Sequence, residues 1–219
     1  MGVRTTITLK EANQLFEDTK LVFKSLDKTI DGISDSTYIG TLSNENKCIL
    51  KIYEFASSEE VINEIEILNT LKDLPTPKPL INDTEIKIYQ NKPVAVFSYL
   101  NGKSYDNPSI QHVKEIGSFL GKFHTYSKDI KSVNKNIYTQ EEIKIFIENI
   151  QKHKDTNDNI KQMFIEKYEV IKDLNLEENC VIHGDLFPDN AKFEDDKLSG
   201  VFDFVEACNG NFFFDLAVG

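Results

Sequence analysis

The sequence predicts an α+β protein of two lobes: an N-terminal lobe of five strands with one inserted helix, and a mainly helical C-terminal lobe. Three observations carry this. Up to residue 100, short apolar runs alternate with turn formers; after Asn101-Gly102 the apolar residues recur at helical spacing; beyond residue 180 strand-like runs return around a polar loop. The lobe boundary falls there, giving residues 1–100 and 101–219.

Taken in order, TLKEANQLFEDTK reads as a short helix, and LVFKSLDKT, STYIGTLS and KCILKIYE as three strands separated by Asp-Gly and Asn-Glu-Asn turns. SSEEVINEIEILNTLKDL has Ser57 or Ser58 as a possible N-cap, acidic residues in its first turn and apolar residues at 61, 65, 68 and 71, which is helical spacing. That helix must end before Pro75, and PTPKPLI is a stiff extended connector. EIKIYQ and PVAVFSYL then form a hairpin about Asn91. Three segments with apolar stripes follow, SIQHVKEIGSFLGKFHTYS, QEEIKIFIENIQKHK and NIKQMFIEKYEVIKDL. Val181-Ile182 leads into a polar loop, AKFE and LSGVFDF are two short strands about Asp195-Asp196-Lys197, and FFFDLAVG looks like the start of a helix.

Composition bounds the function. The chain has 219 residues, 40% of them hydrophobic, enough to bury a core. Lys and Arg number 25 against 36 Asp and Glu, a net charge of −11 that divides as −4 (11 against 15) over residues 1–100 and −7 (14 against 21) over the remainder. Neither half is a basic arm, which argues against nucleic acid or an anionic membrane as partner. It leaves nucleotides open, since phosphates are held by a few placed amides, a lysine and metal ions. Cys48, Cys180 and Cys208 form no C-x-x-C pair, and no apolar run approaches a membrane span or a signal-peptide core, so a reduced, cytoplasmic setting is expected. MGVRTT matches the loose myristoylation pattern, which is too short to weigh heavily.

The chemistry concentrates in His183-Gly184-Asp185-Leu186-Phe187-Pro188-Asp189-Asn190 and in Val201-Phe202-Asp203-Phe204. Asp185 and Asn190 are five apart on one loop, and Asp203 follows 18 residues after Asp185. Phosphoryl transfer from ATP needs a carboxylate to take the proton of the attacking hydroxyl, with an amide and a second carboxylate to hold magnesium. The spacing fits D-x-x-x-x-N followed by a metal aspartate; the competing reading is a polar hairpin loop, where Asp and Asn crowd anyway.

HGDLFPDN with FDF resembles the aminoglycoside phosphotransferase and choline kinase group of small-molecule kinases, whose fold is that of protein kinases. Within it, DLFPDN followed by DFVEACNGNFFFDLA is most similar to the homoserine kinases of this fold. The resemblance covers the whole chain by element order and is residue-specific over about 180–217. It implies Asp185 as catalytic base, Asn190 and Asp203 as magnesium ligands, His183 as a loop-ordering residue and Asp215 as a brace from the next helix. It also implies ATP and Mg2+, a small-molecule acceptor, and further helices beyond FFFDLAVG, so that the C-terminal helices are missing from the lower lobe.

Lys51, on the third strand, falls where a kinase lysine contacts the α- and β-phosphates, with Leu50 and Ile52 on the opposite face. Glu64 lies on the apolar stripe of its helix while Glu66 points away, which makes Glu64 the partner expected for Lys51. Ser34 and Ser36, in the loop Asp31–Thr37, would close over the phosphates, and Ser98 and Leu100 flank a hinge for the adenine. Glu206 and Asn209 could line the acceptor pocket or simply form a turn. His124 is expected to pack or cap, His112 and His153 to be solvated, and Phe212–Phe214 to be core. The acceptor the resemblance favours is L-homoserine; choline, ethanolamine or an aminoglycoside, and a truncated non-catalytic nucleotide-binding protein, are the alternatives.

Overall fold

The computed structural model describes residues 4–29, 34–81, 86–174 and 177–219. Helix α1 (Leu9–Leu15) precedes the strands β1 (Phe23–Lys28), β2 (Ser36–Leu42) and β3 (Lys47–Ile52); α2 (Ser58–Thr70) follows, then β4 (Lys87–Tyr89) and β5 (Lys92–Ser98). All pairings in the five-stranded sheet, β1-β2-β3-β5-β4, are antiparallel. The β4–β5 turn places Gln90 and Asn91 at φ 49° and 62°, the left-handed pair that a two-residue hairpin turn requires. Helix α2 starts where its cap dictates: the Ser57 side chain accepts from the Glu60 amide, and the Glu60 carboxylate accepts from the Ser57 amide.

The second lobe holds α3 (Ile110–Ser127), α4 (Gln140–Lys152) and α5 (Asp158–Ile171), then β6 (Cys180–Ile182), a single 3₁₀ turn over Pro188–Asn190, β7 (Ala191–Glu194), β8 (Lys197–Val201), β9 (Cys208–Gly210) and α6 (Phe212–Val218). Strands β7 and β8 form the expected ribbon. Strand β9, which pairs with β6, is not foreshadowed in the sequence, because three residues are too short for any alternation and the partner is distant. Among the described residues no helix is long and apolar enough to cross a membrane.

Alternation on the sheet sorts two cores. Tyr38 and Leu42 of β2, Cys48, Leu50 and Ile52 of β3, and Val94 and Val96 of β5 face α1, packing with Ala12, Phe16 and Phe23. Ala95 and Phe97 face the other way and join a core built from α2 (Val61, Ile65, Leu68) and second-lobe residues Phe119, Phe123, Val181, Leu186, Val201 and Phe204. Thr37, Ile39, Ile49 and Lys51 share that second face and stay half-exposed, so the sheet roofs an open cleft above the β7–β8 ribbon. His112 departs from its expected solvation: it is 4% exposed, its ring packs between Tyr105 and Phe193, and Nδ1 accepts the Ser109 amide at the start of α3. Phe213 departs in the opposite sense and is 56% exposed.

The residues before α1 are tied to the sheet through Glu54. Its carboxylate accepts from the Thr5 amide, the Ser36 hydroxyl and Lys92 Nζ, with its side chain 4% exposed. Burial pulls the Glu54 carboxyl up, but these bonds outweigh it and bring it down to about 2, against 4.5 for an ordinary glutamate. A carboxyl lowered on folding stabilises above its unfolded value and loses that contribution as pH falls through the folded one. Glu54→Gln is therefore expected to cost about 1–3 kcal/mol at pH 7. In denaturant titrations its deficit relative to wild type should shrink as pH drops from 4.5 towards 2; a deficit independent of pH would refute the ionic role.

Candidate active site

The cleft's chemistry is assembled from β3, α2, the segment before β2, and the loops that follow β6 and β8. Lys51, placed on the cleft face by strand alternation, bonds Asp203 Oδ1 at 2.6 Å and lies 3.1 Å from Asp35 Oδ2. Burial works against its ammonium, but Asp203, Glu64 and Asp35 outweigh that and hold it firmly charged. Glu64, 2% exposed, is not in an ion pair with Lys51. Its Oε2 accepts from the Tyr53 hydroxyl at 2.5 Å and its Oε1 from the Phe204 amide at 3.0 Å. Burial pushes the Glu64 carboxyl up and the Lys51 charge opposes this. Glu64 thus reaches the lysine through space while bonding the residue next to Asp203.

The loop after β6 is held from behind by α6. Asp215, fully buried, accepts the His183 amide at 2.9 Å, the Gly184 amide at 3.0 Å and a bond from His124 Nε2 at 2.8 Å. Gly184 sits at φ +82°, a conformation other residues rarely adopt. His183 Nδ1 accepts the Asp185 amide at 3.3 Å, so the opposite nitrogen is the donor, to the Phe202 carbonyl at 3.0 Å. Burial lowers its pKa despite Asp215, in keeping with that neutral ring. By gripping Phe202 it steadies Asp203, which carries φ 70° where a non-glycine residue is strained.

Asn190 Nδ2 donates to both the carbonyl and the carboxylate of Asp185, at 2.7 and 3.0 Å. Burial, then the Glu206 and Asp203 charges, push the Asp185 carboxyl up to about 6 against the Asn190 bond. For Asp203, burial acts upward but Lys51 wins and keeps it low and ionised. With its donors committed to Asp185, Asn190 keeps its side-chain oxygen for another ligand. This amide oxygen and the Asp203 carboxylate are hard donors that suit magnesium. Among the described residues no group of three His, Cys, Asp or Glu side chains could hold a metal by itself, so an ion here would take its other ligands from phosphate and water.

Several expected site residues are committed elsewhere. Ser36 is fully buried, its oxygen accepting the Arg4 and Thr5 amides and its hydroxyl donating to Glu54, so it is an anchor of the N-terminal segment and is not open to phosphate. Ser34 is exposed just before β2, and Asp31–Ile33 lie outside the described residues. Ser98 points to the α1 side: its hydroxyl oxygen accepts the Lys78 amide and its own amide donates to the Lys78 carbonyl. A cavity of about 530 Å³ beside Ser98, Tyr99, Leu42 and Leu80 lies on that same side, away from Asp185 and Asp203. The Leu100 carbonyl accepts from Lys192, and its side chain fills the space over Gly200. Asn209 clamps Ser132, accepting its amide and donating to its carbonyl, which takes it out of any acceptor pocket. Glu206 remains exposed and accepts from the Tyr138 hydroxyl at 3.0 Å.

Sequence reading missed Tyr53, Asp35 and Tyr138. Asp35 had a signal, since it stands in the loop before β2 on which phosphate contacts were expected. Tyr138 had none: its ring reaches Gly184 from the α3–α4 connection, 46 residues earlier in the chain.

The antiparallel sheet with its inserted helix, and the acidic loop below it, make up a protein-kinase-like phosphotransferase. Residues 28–219 match the sequence model of APH, the phosphotransferase enzyme family, and the chain belongs to that family. It is 29% identical to the homoserine kinase of Methylobacillus flagellatus over 230 residues, covering 100% of this chain and 70% of that protein. It is also 29% identical to the homoserine kinase of Bartonella henselae over 202 residues, 86% of this chain and 61% of that one. Among solved structures it is similar to an amicoumacin kinase in complex with AMP-PNP, Ca2+ and amicoumacin (TM-score 0.71, 17% identity, 96% of this chain and 66% of that chain). The macrolide 2′-phosphotransferase of Brachybacterium faecium gives a TM-score of 0.70 at 15% identity, over 95% of this chain and 75% of that chain. The chain is thus a small-molecule kinase that phosphorylates a hydroxyl group.

Asp215→Ala would leave the His183 and Gly184 amides buried without an acceptor, at an expected cost of about 2–6 kcal/mol for the two donors. Asp215→Asn keeps one oxygen and should lose markedly less in chemical denaturation. A loss below about 1 kcal/mol in Asp215→Ala would show that the carboxylate is not what holds the loop.

Proposed function

We propose that this chain transfers the γ-phosphate of ATP to the side-chain hydroxyl of L-homoserine. The observation that carries the chemistry is that Asn190 bonds the Asp185 carboxylate, the Phe202 amide beside Asp203 bonds the Asn190 carbonyl, and Lys51 bonds Asp203 across the cleft. The acceptor rests on the homoserine kinase relatives, which align along the whole chain, and on the D-L-F-P-D-N and D-F-V-E-A-C-N runs.

In this reading residues 1–100 form the nucleotide-binding lobe and residues 101–219 the catalytic lobe. The base lies under Ile39 and Ile49, toward Tyr99 and Leu100, and the phosphates lie beside Lys51. Lys51 exchanges its carboxylate partners for phosphate oxygens, keeping its charge satisfied throughout. Asn190 and Asp203 hold Mg2+, which when bound neutralises charge on the transferring phosphoryl group. Asp185, oriented by Asn190, hydrogen-bonds the acceptor hydroxyl, aligns it with the phosphorus and takes its proton as the new O–P bond forms. His183 and Asp215 keep the loop in shape. Glu206, beside Asp185, is suited to the α-ammonium of the acceptor. The three buried, unpaired cysteines accord with a cytoplasmic setting.

The test is ADP release from Mg-ATP with L-homoserine, choline, ethanolamine or kanamycin as acceptor. Turnover is expected with homoserine and should fall about 10²–10⁴-fold in Asp185→Asn. Turnover with a cationic acceptor alone would move the assignment to the choline or aminoglycoside kinases; none with any acceptor, alongside nucleotide binding, would favour a binding protein. Because the base must be ionised and its carboxyl sits at about 6, kcat/KM should fall about tenfold per pH unit below that value. An acid limb centred near 4 would show that the Asp185 carboxyl is not raised in the working enzyme.

A further inference from the structure

Helix α2 is fastened to the second lobe by polar bonds as well as by the apolar core. Asn63, the neighbour of Glu64, is 2% exposed, donates Nδ2 to Ser132 Oγ at 3.0 Å and accepts the Val133 amide at 3.1 Å. Ser132, 8% exposed in the α3–α4 connection, donates its own hydroxyl to the Ala207 carbonyl at 2.8 Å, and its main chain is held by Asn209. Asn134 adds bonds to the Val205 and Ala207 carbonyls. The other end of the same segment is tied to α2 directly, through Glu64 and the Phe204 amide. Helix α2 therefore grips residues 204–207 at two points, once by Glu64 and once by Asn63 through Ser132. Two-point attachment fixes orientation as well as distance, which a single bond would not.

We propose that Asn63 is a positioning residue: with Ser132 it locks α2 onto the segment that follows Asp203, so that Glu64 and Asp203 keep one geometry. The inference rests on the reading of Asp203 as an ion-holding residue.

The experiment is hydrogen–deuterium exchange on the full chain without nucleotide, comparing wild type with Asn63→Ala and, as the milder substitution, Ser132→Ala. Exchange across 203–209 should quicken about tenfold in either variant, with β7 and β8 unchanged, and Asn63→Ala should add less than about twofold once Glu64→Gln is present. In turnover well below each melting midpoint, kcat should drop about tenfold while the nucleotide KM moves by less than about threefold. Faster exchange confined to residues 130–138, full additivity with Glu64→Gln, or an unchanged kcat would overturn the proposal. A wild type that turns over no acceptor, yet shows the exchange coupling, would instead count against the kinase reading alone.

Discussion

The site is organised by a charge imbalance at its centre. The Lys51 ammonium faces Asp203, Asp35 and Glu64, which come from three different elements. Burying an unpaired charge costs several kcal/mol, so these largely buried groups can share the cleft only if each carboxylate finds donors. Asp203 and Asp35 take Lys51; Glu64, displaced from it, takes the Tyr53 hydroxyl and the Phe204 amide. The arrangement leaves the lysine held by two carboxylates, while Glu64 is held by bonds of its own.

A second constraint is irregular backbone near the core. The turns around Gly184 and Asp203 depart from helix and strand, so their amides and carbonyls need partners from side chains. Asp215 supplies acceptors at 183 and 184, His183 reaches the Phe202 carbonyl, and Glu64 accepts at 204. Buried polar groups that look wasteful in a small core are here the substitutes for a missing ladder. They let Asp203 keep a left-handed conformation that an unsupported loop would relax.

Much of this was legible in the sequence because it depends on local pattern. Strand alternation put Lys51 on the face opposite Leu50 and Ile52, helical spacing separated buried Glu64 from exposed Glu66, and the pair Ser57-Ser58 marked the start of α2, where the structure makes Ser57 the cap. The five-stranded order with its inserted helix followed from turn formers at regular intervals. Where the reading failed, the deciding partner lay far along the chain. Ser36 looked like a phosphate-loop hydroxyl until Arg4, Thr5 and Glu54 claimed it, and Asn209 looked like a pocket residue until Ser132 did. His112 looked solvated among polar neighbours, but the aromatic rings that enclose it come from before α3 and from β7.

The sequence by itself determined the order of the main elements and the face on which residues such as Lys51 and Glu64 stand, because spacing and periodicity act within a few residues. The tertiary structure alone decided who bonds to whom. Lys51 turned to Asp203 and Asp35, Glu64 to Phe204, and Asn63 to the α3–α4 connection, because a donor buried with several acceptors settles by the three-dimensional balance of desolvation and charge.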